Sequence, residues 1–217
     1  MRTGFSRKML AAAAVTGCVS GAMLMARGPA VAKPPYPRPS TITRTWQLTF
    51  RFHKPQRLIM HSPGHKYAKP KTYWVMRYSV VNETGRARFF YPRITLITNT
   101  GQIVKAGKGV SHGIFEKVKR LFRDPFMQDQ TMIIGRILQG RDNAKHGVVI
   151  FTGLGKGVRS LTIYITGLSG DTAVQTDPVT HRPIVLRKTL RLKYRIPGEA
   201  IGIPVHLQYE GRKWVMR

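Results

Sequence analysis

Seven histidines are the side chains best suited to proton transfer or metal binding in this chain: His53, His61, His65, His112, His146, His181 and His206. Only His61 and His65 stand close together, across Ser62-Pro63-Gly64, a turn that can bring two imidazoles toward one point. A metal site needs three or four ligands. No acid lies nearby, and Lys66, Lys69 and Lys71 follow, so the local charge opposes a cation. The pair therefore reads as loop histidines facing solvent. The nine carboxylates contain no close pair of the kind that glycoside hydrolysis uses. A Gly-x-Ser-x-Gly nucleophile elbow is absent. Gly153-Leu154-Gly155-Lys156-Gly157 invites comparison with a phosphate loop, but the spacing is wrong and no Ser or Thr follows Gly-Lys. A phosphate loop also runs into a helix start, whereas a β-branched stretch follows here, so a hairpin turn is expected. The sequence thus assigns no catalytic residue, no cofactor and no metal ligand.

The chemistry that the sequence does offer is positive charge. There are 37 Lys+Arg against 9 Asp+Glu, a formal net charge of +28. In residues 186–195 the cations fall on one side. Arg187, Thr189, Arg191, Lys193 and Arg195 share one parity, and Leu186, Lys188, Leu190, Leu192 and Tyr194 share the other. On a strand this gives one packed face and one face of cations about 6.6 Å apart. A second set, Lys117, Lys119, Arg120 and Arg123, fills the polar side of a segment whose Ile114, Phe115, Val118, Leu121 and Phe122 recur at helical spacing. These eight cations are the anion-binding candidates. The partners they fit are an acidic polymer, an anionic lipid surface or an acidic protein. A basic proteome would produce the same composition without any ligand. Tyr73, Trp74, Phe89, Phe90 and Tyr91 lie near arginines, but alternating strands send aromatics into cores, which disfavours nucleic acid.

Placement of the chain bears on the partner. Residues 1–8 are basic, residues 9–26 are apolar, and Arg27-Gly28-Pro29-Ala30-Val31-Ala32 ends in small residues. This is the layout of a signal peptide cleaved after Ala32. An exported protein, periplasmic or extracellular, is expected. Two anchored alternatives stay open: lipidation at Cys18, after Val15-Thr16-Gly17, or retention of residues 9–26 as a membrane helix. Cys18 is the only cysteine, so a chain cleaved after Ala32 has no disulfide and no thiolate. It keeps 33 cations and 9 acids, net +24, because the leader removes four cations and no acid.

Residues 33–43 form a Pro-rich leader, with Pro34, Pro35, Pro37 and Pro39, and residues 44–217 are expected to form a single domain. Strand patterns recur along it. Residues 46–52 and 73–81 alternate, and residues 87–98 do so with an irregularity at Pro92. Residues 131–138, 148–151, 158–166 and 185–194 follow, with a last candidate at Val205, Leu207 and Tyr209 before a turn at Glu210-Gly211. Residues 139–146 read as a polar loop. Asn82-Glu83-Thr84-Gly85 and Asn99-Thr100-Gly101 read as turns that favour antiparallel pairing. The helix at residues 114–123 is expected to start near Ser111, stop before Pro125, and seal an edge or end of the sheet core. The fold class is all-β, mainly antiparallel: two packed sheets with one short amphipathic helix, a barrel being the alternative.

Four segments carry a resemblance: Tyr78-Ser79-Val80-Val81-Asn82-Glu83-Thr84-Gly85, Thr98-Asn99-Thr100-Gly101, Gly147-Val148-Val149-Ile150-Phe151 and Leu161-Thr162-Ile163-Tyr164-Ile165. Their style of strand and turn, over residues 73–170, resembles the uncharacterised Ig-like β-sandwich domains of exported bacterial envelope proteins and lipoproteins. The resemblance implies an Ig-like sandwich and gives no catalytic residues to carry over; the helix at residues 114–123 and the elaborated C-terminal part after Gly170 depart from it. The functional expectation is a non-enzymatic exported domain that binds or docks onto an acidic cell-envelope component. The alternatives are an envelope hydrolase with a histidine/carboxylate site and a structural subunit of an envelope assembly.

Overall fold

The computed structural model describes residues 45–61, 69–197 and 207–217. The expected signal peptide, with Cys18 and residues 9–26, and the Pro-rich leader lie outside these residues, as do His65, Glu199, Val205 and His206. The described residues belong to one compact unit, Tyr36–Arg217. Among them no helix is long and apolar enough to cross a membrane.

The chain is a mostly antiparallel β protein with one short helix. Its first sheet is built around β3, Lys71–Asn82, a strand buried over most of its length. β1 (Thr49–Phe52) and β2 (Gln56–Met60) occupy successive halves of one edge of β3. The second sheet begins with β5 (Arg93–Thr98) and β6 (Ile103–Lys105), joined by the turn at Asn99-Thr100-Gly101. Between the sheets β4 (Arg88–Phe90) is set apart, and it pairs with β8 (Gly135–Ile137). Pro92 divides β4 from β5, because a residue without an N–H cannot continue the ladder. The helix α1 (His112–Phe122) precedes β7 (Met127–Gln128), which pairs in parallel. Its partner is β9 (Gly140–Thr152), which fills the other edge of β3.

β9 is longer than the sequence pattern indicates. Residues 140–146 are strand and not polar loop: His146 and Lys145 pair with Ser79 and Val80 of β3, Gly140 pairs with Asn82 across a register shift, and Arg141, Asp142 and Asn143 between them are exposed. β10 (Ser160–Thr166), β11 (Thr172–Thr176), β12 (Pro183–Arg195) and β13 (Gln208–Met216) complete the second sheet. β12 is its spine. β10 and β11 pair along its length, β13 is also paired to it, and β10 bonds onward to β5. Glu210-Gly211 is not a turn but part of β13, where the register shifts between Lys193 and Tyr194. Residues 153–157 are likewise not a hairpin turn: they link β9 of the first sheet to β10 of the second.

One buried cluster takes side chains from both sheets. Trp74, Met76, Tyr78 and Val80 of β3 share it with Leu161, Ile163 and Ile165 of β10 and with Leu190, Leu192 and Tyr194 of β12. Burying such side chains contributes about 1.5–3 kcal/mol each. The opposite face of β3 is apolar too. There Tyr73 and Val75, with Val148 and Ile150 of β9, pack against Ile114, Phe115 and Val118 of α1. The helix therefore covers the outer face of the first sheet and does not seal an edge or end of the shared core. Two layers of apolar side chains on β3 require two covers. Ser111 stands at the N-cap with extended backbone but gives no side-chain cap bond. The helix stops at Phe122, and Arg123 takes a left-handed conformation with its N–H donated to Arg120 O.

Candidate functional site

The side chain that the sequence pattern leaves anomalous on β12, Lys188, explains how the strand can turn its cations outward. Lys188 lies on the buried parity and its ammonium donates to Asp171 Oδ2 at 2.9 Å. It also sits 5.4 Å from the centroid of the Trp214 ring. Asp171 Oδ1 accepts from the Thr45 N–H at 2.9 Å and from the Thr45 hydroxyl at 2.7 Å. Burial acts to raise the Asp171 pKa, but the hydrogen bonds from Lys188 and Thr45 reverse this and hold it below the usual carboxylate range. With Lys188 neutralised internally, Leu186, Leu190, Leu192 and Tyr194 stay buried on that parity.

The other parity faces outward. Arg187, Lys193 and Arg195 are exposed, Arg191 is half-buried, and Thr189 is buried between them. The register adds cations that strand periodicity cannot supply. Lys213 of β13 stands opposite Arg191, with Tyr164 of β10 on its other side. Tyr164 faces Thr95, and Thr95 faces Lys105 on β6. Arg217 exchanges backbone hydrogen bonds with Arg187 at 2.7 and 3.1 Å. Its guanidinium lies 4.3 Å from the centroid of the Tyr164 ring. Arg93, opposite Thr166, stands on the same outward parity of β5.

Glu210 is an acid on this face among the described residues. Its carboxylate meets Lys193 Nζ at 2.9 Å and Arg195 Nε at 2.7 Å. The irregularity between Lys193 and Tyr194 explains how it gets there. Gly211 pairs with Lys193 and Tyr209 with Tyr194, which leaves Glu210 as the extra residue of a bulge. The Lys193 hydrogen bond, opposed by partial desolvation and helped by Arg195, lowers the Glu210 pKa. Two of the four strand cations are thus paired, and Arg187 and Arg191 are joined by Lys213 and Arg217.

The helix cations are elsewhere. α1 lies on the outer side of the first sheet, and the β12 row on the outer side of the second. The eight candidates therefore do not form one surface. Lys117 donates to His61 O at 3.0 Å, and Lys119 stands 6.0 Å from the centroid of Phe115. Arg120 and Arg123 are exposed at the helix end.

Among the described residues histidine and carboxylate meet within α1, where His112 Nε2 lies 3.7 Å from Glu116 Oε1, and again between the segment after α1 and β9. His146 Nδ1 lies 3.0 Å from Asp124 Oδ2, and the Phe126 ring packs edge-on against the imidazole. This contact fastens the chain just after α1 to β9. Among the described residues no group of three or more His, Cys, Asp or Glu is placed to hold a metal ion.

A cleft of about 930 Å³ opens beside Arg57 of β2, where β3 begins, β9 ends and the chain runs on to β10. Residues 153–159 line one side of it, and Lys71, Thr72, Trp74 and Ile196 line others. The sequence pattern singles out this glycine-rich loop only to set it aside as a hairpin, because a crossover between sheets leaves no local signature. No family model, curated protein or solved structure matches this chain.

Proposed function

We propose that this chain is an exported, non-enzymatic, Ig-like β-sandwich domain that docks onto an acidic polymer of the cell envelope through the outer face of β12 and β13. The single observation that carries the reading is the cation array on that face: Arg187, Arg191, Lys193, Arg195, Lys213 and Arg217, with Glu210 as an acid within it. The shared buried cluster of the two sheets supports the sandwich, since side chains from both inner faces interdigitate in one. The leader-like residues 1–32 support export. A strand row with cations at 187, 191, 193 and 195, interrupted by Thr189, presents charge along a line as a linear polyanion does, and long-range attraction by such a face speeds encounter.

The test replaces Arg187, Arg191, Lys193 and Arg195 together by Gln and measures retention on an anionic polymer at increasing salt. The expected outcome is a large loss of retention and a shallower salt dependence. Arg120→Gln with Arg123→Gln, on the opposite side, is expected to leave retention nearly unchanged. Retention that is insensitive to salt and to the strand substitutions would overturn the reading.

A further inference from the structure

The cleft beside the glycine-rich loop has its own chemistry, separate from the sheet face. Its lining combines the cations Lys71, Lys156 and Arg159, and also Arg57, with the apolar side chains of Trp74, Leu154, Val158 and Ile196. None of the described lining residues is acidic. At about 930 Å³ it falls in the upper part of the usual range for small-molecule sites.

The loop is held in shape from outside. Gln102 Nε2 donates to Gly153 O at 2.7 Å, and Gln102 Oε1 accepts from the Gly155 N–H at 2.9 Å. Asn99 Oδ1 accepts from the N–H groups of Arg159 and Ser160 at 2.7 and 3.1 Å, and its Nδ2 donates to Gly157 O at 3.4 Å. Gly153 and Gly157 have φ of 74° and 73°, a region that side chains strain to enter. Two amides from the β5–β6 turn thus fix both ends of the loop. This is preorganisation of a wall.

We infer that the cleft binds a small anionic amphiphile, a phosphate or carboxylate head on an apolar body. The head would meet Lys156 and Arg159, and the body would lie along the half-buried Leu154 and Val158, over the buried Trp74 and Ile196. Arg159 offers the planar fork that suits both oxyanions. This site is independent of the polymer face, so either can fail without the other.

Isothermal titration with octyl phosphate, octanoate, inorganic phosphate and the neutral octyl glucoside tests the inference, using the described protein at alkyl concentrations below micelle formation. One-to-one binding is expected for octyl phosphate or octanoate, with Kd of about 1 mM or tighter. Inorganic phosphate and octyl glucoside are each expected to bind at least about tenfold more weakly, because each lacks half of the recognition. Lys156→Gln with Arg159→Gln is expected to weaken the alkyl anion about tenfold while polymer retention stays as in the parent. Lys156→Glu alone, a single change on an exposed loop, should weaken it in the same direction. Equal binding of octyl glucoside and octyl phosphate would overturn the inference. So would equal binding of inorganic and octyl phosphate, or affinity unchanged in both loop variants.

Discussion

Replacing Glu210 by Gln probes the polymer face in a direction that damage to the fold cannot imitate. In the protein this carboxylate is shared by Lys193 at 2.9 Å and Arg195 at 2.7 Å. Glutamine has nearly the same shape and keeps an acceptor oxygen, but removes the charge that competes with a polyanion for both cations. An exposed ion pair changes an equilibrium by roughly 1.4-fold to fivefold. Two cations returned to the polymer should therefore tighten binding about twofold to thirtyfold. The assay is titration with a sulfated polymer, whose own charge does not change near neutral pH. The gain should shrink as salt rises, since the screening length is about 10 Å at 0.1 M. Destabilised variants lose binding, so a gain reports charge. If Glu210→Gln binds equally or more weakly at low salt, then Lys193 and Arg195 do not contact the polymer, and the reading of this face is wrong.

The buried pair beneath that face makes a second prediction. Lys188→Met leaves Asp171 buried without its cation and should cost about 3–5 kcal/mol in denaturant unfolding, whereas Lys188→Met with Asp171→Leu should recover most of it. Asp171 has a folded pKa below its unfolded value, so its contribution is complete above the unfolded value of about 3.9 and is lost as pH falls through the folded one. Acid titration of stability below about pH 4 should be shallower in the double variant than in the parent. A third prediction concerns Gly147, which stands opposite Tyr78 in the β3–β9 register. A Cβ there would overlap the Tyr78 ring and crowd Ile133, so Gly147→Ala should lower stability by about 1–3 kcal/mol, read as a fall in the thermal midpoint.

What was legible in the sequence follows burial. β10 declares itself because alternate residues enter the core, β3 because its apolar, aromatic-rich run ends at a local Asn-Glu-Thr-Gly turn, and the β12 row because a strand with one wet face separates its residues by parity. The first half of β9 was illegible for the converse reason: Arg141, Asp142 and Asn143 are exposed, and a strand without a dry face has no period to read. The Asn82 turn was legible because its chemistry is local. The side chain donates to Arg86 O at 2.9 Å and accepts from the Thr84 N–H at 3.1 Å. Lys213 and Arg217 could not be joined to Arg191 and Arg187, because strand partners separated by a connection of unknown course have no mark in composition. The same is true of the loop at residues 153–157, whose glycines look alike whether the next strand returns to the same sheet or leaves for the other.

The order in which the strands enter the sheets has a kinetic consequence. The first sheet is incomplete until residue 152, and the second until β13 pairs with β12 over residues 208–216. Because the shared cluster joins both sheets, and Trp214 packs against it, the interior closes only when β13 is available. Pairings as distant as β1 with β3 and β5 with β10 add loop-closure cost, which places such topologies among domains that fold in milliseconds to seconds, not microseconds. During synthesis, then, the nascent chain stays open for most of its length, and its alternating apolar strands depend on whatever shields them until the last hairpin arrives.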